Sequence, residues 1–109
     1  MKFVIATVAG LAIFTTGTAI AALDNAAAEA LMKKYACAAC HSIDKKIVGP
    51  AYVDVAAKYR SDKNAVAILS KKVKEGSVGV WGQIPMPPNP AVPAAEVTEI
   101  VTWITTLKK

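Results

Sequence analysis

Two cysteines and one histidine are the residues in this 109-residue chain best suited to chemistry, and they stand together as Cys37-Ala38-Ala39-Cys40-His41. Thiols three positions apart lie on nearly the same side of a helical turn, so both can reach the two vinyl groups on one edge of a porphyrin. The histidine that follows then turns its imidazole toward an iron from the same face. This spacing predicts covalent attachment of one haem c. Three other uses of the residues fit less well. A dithiol redox site calls for a strand–helix–strand setting, which the pattern lacks. A structural zinc site calls for four protein ligands, and the chain offers two Cys and a single His. A merely buried pair of cysteines leaves the adjacent His41 unexplained.

Iron bound by His41 needs a ligand on its other side. With no second histidine, a bis-histidine iron is excluded. Met32 lies on the segment that feeds the cysteines and would have to fold over the ring. Met86 comes 45 residues after His41, far enough along to wrap around a haem. It sits in Ile84-Pro85-Met86-Pro87-Pro88-Asn89, where flanking prolines restrict the backbone and lower the entropy cost of one geometry. Met86 is therefore the expected second metal ligand, set against the plainer reading of a methionine that fills a gap in the core. A thioether opposite an imidazole favours ferrous iron and leaves no position open for oxygen, peroxide or substrate. That arrangement predicts a carrier of single electrons and no catalytic residues.

The elements that must position these groups read as helices. Ala28, Leu31, Met32 and Tyr35 recur at i, i+3, i+4 and i+7, with Asp24 and Asn25 as candidate N-caps. This first helix is expected to run into the cysteine segment. Tyr52, Val55, Ala56 and Tyr59 repeat the pattern after Pro50. A third helix starts near Asn64, turns Val66, Leu69 and Val73 inward, and stops at Gly76. Residues 76–93 hold three glycines and five prolines, which excludes regular structure there. The last helix runs from about residue 93 to 107 with an apolar stripe of Val97, Ile100, Val101, Ile104 and Leu107, and Trp103 reads as core where it crosses the first. Nothing alternates with period two, so the fold class is all-α.

The first fifth of the chain reads differently. Met1 and Lys2 precede a run without charge over residues 3–22, ending in small residues, the pattern of a secretory leader cleaved after Ala21 or, as second choice, Ala22. The rival is an uncleaved membrane anchor, which the threonines and glycines within the run disfavour. The domains are then 1–21, signal peptide, and 22–109, a monohaem domain. Cleavage leaves 88 residues with 12 basic and 8 acidic side chains, a thin core that needs a staple. The cysteines lie too close together for a disulfide to serve. A net charge of +4 suits docking to acidic surfaces and not the binding of nucleic acid.

With these residues in place, positions 31–107 resemble the short bacterial class I cytochromes c of the c-551/c-552 type. The resemblance rests on Val48-Gly49-Pro50-Ala51-Tyr52, on Asp54-Val55-Ala56-Ala57-Lys58-Tyr59, and on Gly79-Val80-Trp81-Gly82 between Gly76-Ser77 and the Met86 run. It implies about four helices wrapped around one haem, with the Pro50 carbonyl accepting a hydrogen bond from the far nitrogen of His41. It implies that Trp81 donates its indole N–H to a haem propionate, against a simple packing role. Asn89 would hydrogen-bond the Met86 sulfur, against a turn role before Pro90. Three positions depart from the pattern: Lys72 where an arginine often neighbours a propionate, Pro90 as an added residue, and Pro93 at a helix start that usually carries a serine-type cap.

The function expected is a monomeric periplasmic shuttle, taking electrons from a quinol-oxidising complex and passing them to a terminal reductase or oxidase. Lys33, Lys34, Lys45, Lys46, Lys71, Lys72 and Lys74 could steer it to acidic partners, or simply face solvent. The rivals are a peroxidase-like or gas-binding haem protein, should Met86 dissociate, and a membrane-tethered respiratory subunit.

Overall fold

A computed structural model describes residues 3–4, 9–12 and 23–109; the expected cleavage point at Ala21 or Ala22 lies outside them. The described domain is all-α: α1 (Asn25–Lys34), α2 (Tyr52–Tyr59), α3 (Ala65–Glu75) and α4 (Ala94–Thr106), with a short 3₁₀ turn at Cys37–Ala39. Among the described residues the sole β-type pairings are two isolated bridges, His41 with Lys46 and Ser77 with Met86. No helix among them is long and apolar enough to cross a membrane.

Asp24 starts α1, its side chain accepting from Ala27 N at 2.7 Å. Asn25, the other candidate cap, is already in the helix and accepts from Trp103 Nε1 at 3.1 Å, which ties α1 to α4. The expected run of α1 into the cysteines does not occur. Ala36 adopts φ 61°, the left-handed region, and the helix stops at Lys34. An alanine there costs about 1–2 kcal/mol, and the reversal it makes sets the cysteine turn off from the helix axis.

The core forms where α4 packs against α3, α2 and α1. Val97, Ile100, Val101, Trp103 and Ile104 from α4 meet Ala28, Met32, Tyr52, Val55, Tyr59, Ala65 and Leu69. Val97, Val101 and Trp103 are essentially sealed from solvent, each contributing roughly 1.5–3 kcal/mol by burial. Tyr52 carries this core to the site, with its ring edge-on to Trp103 at 5.9 Å and stacked on His41 at 4.9 Å.

Candidate haem site

Local hydrogen bonds wind the cysteine segment tightly. The Cys37 carbonyl accepts from both Cys40 N at 3.1 Å and His41 N at 3.0 Å, so two thiols and an imidazole leave one compact turn. Both cysteines are half-buried and unpaired. Burial, chiefly, pushes the Cys37 thiol above its ordinary pKa, with Cys40 adding to the shift.

The chain then loops back on the histidine. Gly49 N donates to Cys40 O at 2.8 Å, and His41 Nδ1 lies 2.8 Å from Pro50 O. A carbonyl only accepts, so Nδ1 carries the proton and Nε2 keeps its lone pair for a metal. A Cβ at Gly49 would stand 2.4 Å from His41 Cε1. Only glycine allows this approach.

The Met86 segment is built onto the end of α3. Ser77 N donates to Met86 O at 3.1 Å and Met86 N to Ser77 O at 2.7 Å. Gly76, at φ 83°, lies so close that a Cβ would meet Met86 O at 2.7 Å. Asn89 N donates to the Val73 carbonyl at 2.9 Å, closing the helix end. The Asn89 amide donates to Val73 O at 3.3 Å and to Pro87 O at 3.0 Å. A bond from it to the Met86 sulfur would have to replace one of these.

Solved structures share this architecture. The crystal structure of Nitrosomonas europaea cytochrome c552 superposes with a TM-score of 0.71 at 51% identity, covering 73% of this chain and 99% of that one. The Cytochrome c family model matches residues 25–108. The chain belongs to the cytochrome c family. Cytochrome c-551 of Pseudomonas denitrificans is 55% identical over 80 residues, covering 73% of this chain and 96% of that protein. Cytochrome c-552 of Hydrogenobacter thermophilus is 44% identical over 107 residues, 98% of each. The protein is thus a class I c-type cytochrome of the c-551/c-552 type, a monohaem electron carrier and not an enzyme.

The residues of this cytochrome fit one covalently attached haem c. Cys37 and Cys40 are free to form two thioethers, and His41 presents an unprotonated Nε2. Ile47, Val48, Val78, Val80, Trp81 and Ile84 are exposed large apolar side chains from two loops, which suits the faces and edge of a porphyrin. Among the described residues no three His, Cys, Asp or Glu side chains gather to hold a bare metal ion. Trp81 is half-exposed beneath Lys58 Nζ, 5.9 Å from its ring centroid, and lines a depression with Lys46, Pro50 and Asp54. Lys72 Nζ reaches Ser77 Oγ at 3.3 Å, at the entry to the Met86 loop.

Three supports escaped the sequence reading. Gly49 stands in the sequence only as a member of a motif and Gly76 as a helix stop; their close approach to His41 and Met86 leaves no trace in spacing. The Tyr35 hydroxyl donates to Glu96, 61 residues away, and Lys34 Nζ stands 3.8 Å from the same carboxylate. That hydrogen bond, above all, raises the Tyr35 pKa. It joins the entry to the cysteine turn to the first turn of α4.

Proposed function

We propose that this cytochrome is exported by a leader cleaved after Ala21 or Ala22 and works in the periplasm as a monomeric shuttle, its iron held between His41 Nε2 and the Met86 sulfur. One observation carries the choice of sulfur. Met32 is only 4% exposed inside the core cluster, whereas Met86 is half-buried on a loop whose backbone is fixed at Ser77. The haem supplies a one-electron iron couple. The chain's residues do the rest: the Pro50 carbonyl sets the His41 tautomer and raises its basicity, and Trp81, with Lys72 nearby in sequence, serves the propionates.

Partner docking falls to the surface around residues 45–48 and 78–84. Lys45 and Lys46 are exposed beside the exposed Ile47 and Val48. Lys34 and Lys71 pair with Glu96 and Glu75, and Lys74 is taken up by main-chain carbonyls. Acidic surfaces of a quinol-oxidising donor and of a terminal reductase or oxidase are the partners this charge pattern suits.

An optical redox titration of the purified protein tests the ligation. The ferric form should show the weak far-red band of methionine-bound haem, and the ferrous form should ignore carbon monoxide. A rapid carbon monoxide response overturns the sulfur assignment. Export is tested by the N-terminal residue of protein isolated from cells: Ala22 or Leu23 is expected, and Met1 would refute cleavage.

A further inference from the structure

We propose that Lys74 is a positioning residue for the sixth ligand: it fastens the exit of the Met86 loop, and without it the sulfur leaves the iron more readily. The proposal rests on the reading that Met86 is that ligand.

The two sides of the loop are secured by different means. On the entry side, main-chain bonds between Ser77 and Met86 and the close packing of Gly76 suffice. On the exit side the chain cannot stitch itself in the same way. Pro87, Pro88, Pro90 and Pro93 have no N–H, so few backbone donors remain between Met86 and α4. Asn89 N uses its proton on Val73 O, and Val92 N bonds Asn89 O at 3.3 Å. The carbonyls of Pro90 and Val92 still require donors.

Lys74 meets that need. Its Nζ lies 3.1 Å from Pro90 O and 2.7 Å from Val92 O, so two of its three protons bridge the last turn of α3 to the exit segment. Hydrogen bonds from a charged donor are the stronger kind. The side chain is half-buried, unlike Lys71 on the same helix, which is exposed and pairs only with Glu75 at 3.9 Å. The bridged carbonyls flank Ala91. An exit with so few main-chain donors keeps conformational freedom, and a single ammonium removes it by fixing two carbonyls at once. The Lys74 ammonium bonds Pro90 and Val92 and not Met86; it acts through residues 89–92.

The test uses haem-loaded wild type and three variants: Lys74→Gln, Lys74→Arg, and Lys71→Gln, which makes the same charge change without touching the loop. Ferric protein is titrated with imidazole while the far-red methionine band is followed. Loss of an outer support commonly changes metal–ligand affinity by about tenfold or more. Lys74→Gln should therefore lose the band at about tenfold lower imidazole, Lys74→Arg should return to near the wild-type midpoint, and Lys71→Gln should match wild type. In a thermal scan of Lys74→Gln, the band should also vanish before the helical circular dichroism signal does. Wild-type behaviour in Lys74→Gln overturns the proposal, and so does an equal shift in Lys71→Gln. If band and helix are lost together, or the variant loses haem outright, Lys74 is a general structural residue and the proposal fails. A wild-type protein with no far-red band fails differently, because it sinks the sulfur assignment itself.

Discussion

Adding one methyl group at Gly49 tests whether the 49–50 segment sets the position of the His41 ring. A Cβ there falls 2.4 Å from Cε1, 2.9 Å from Nδ1 and 3.0 Å from Nε2 of the imidazole. Carbon atoms rest comfortably at about 3.5–4.0 Å, so ring and backbone must part by about 1 Å. Gly49 is not among the positive-φ glycines, so the clash, and not backbone strain, carries the effect. The ring already stacks on Tyr52 at 4.9 Å and donates to Pro50 O at 2.8 Å. A shift of about 1 Å takes that hydrogen bond beyond its useful range.

The cost is about 1 kcal/mol for the bond and about 1–3 kcal/mol for overpacking. For a domain of this size a loss of about 2–4 kcal/mol lowers the melting temperature by roughly 10–25 °C. The potential moves as well. An N–H···O=C bond makes the imidazole more basic and so favours ferric iron; losing it should raise the potential by about 20–40 mV, taking about 59 mV per tenfold change for one electron. Thermal melts and potentiometric titrations of wild type and Gly49→Ala, both with haem attached, measure the two effects. A lower melting temperature with an unchanged potential would mean that the backbone absorbs the methyl group, and the claim about the ring would be refuted.

Gly76→Ala combines a clash with strain: its Cβ meets Met86 O at 2.7 Å and Pro88 N at 3.1 Å, on a residue at φ 83°. It should cost about 2–4 kcal/mol and weaken the far-red ferric band, measured by denaturant unfolding and by the optical spectrum. Tyr52 contributes to the alkaline fall in stability. Burial, and secondarily the thiolates of Cys37 and Cys40, holds its phenol well above the ordinary tyrosine value; once the sulfurs are thioethers, burial alone remains. The folded pKa exceeds the unfolded one, so this contribution is whole below about pH 10 and is lost above it, by up to about 1.4 kcal/mol per pH unit. Tyr52→Phe should flatten the fall in stability above about pH 10, as urea unfolding at stepped pH would detect.

The helices and the attachment turn were legible because they rest on local signals. Tyr52, Val55, Ala56 and Tyr59 announce α2 by spacing alone, and all four are buried. Asn64 and Gly76 bracket α3 as their types suggest. The break at Ala36 was not legible, since alanine favours helix and only the tertiary placement of the cysteine turn forces φ 61° on it. The glycine-rich and proline-rich stretch could be read as irregular, but its pairing of Ser77 with Met86 spans nine positions without any alternation to reveal it. In the sequence Lys72 and Lys74 read as cations that steer partners or simply face solvent. Their actual acceptors, Ser77 Oγ and the carbonyls of Pro90 and Val92, depend on where a loop returns.

The His41 and Met86 segments are therefore held with unequal security, and the difference has a functional sense. Every support of His41 lies within residues 37–53: the shared Cys37 carbonyl, the bond to Pro50, the approach of Gly49, and the Tyr52 ring. Closing so short a span costs little entropy, and two thioethers fasten it further. Met86 depends on contacts with the end of α3, all of them non-covalent and several made by side chains with many rotamers. Fixing those side chains costs conformational entropy that the histidine side does not incur. Small changes at Val73, Lys74, Gly76 or Asn89 can thus alter the sulfur side while the haem stays attached and His41 stays in place. With the Met86 sulfur on the iron, as proposed, this is the side of the fold on which substitution adjusts a carrier's potential to its partners without dismantling the protein.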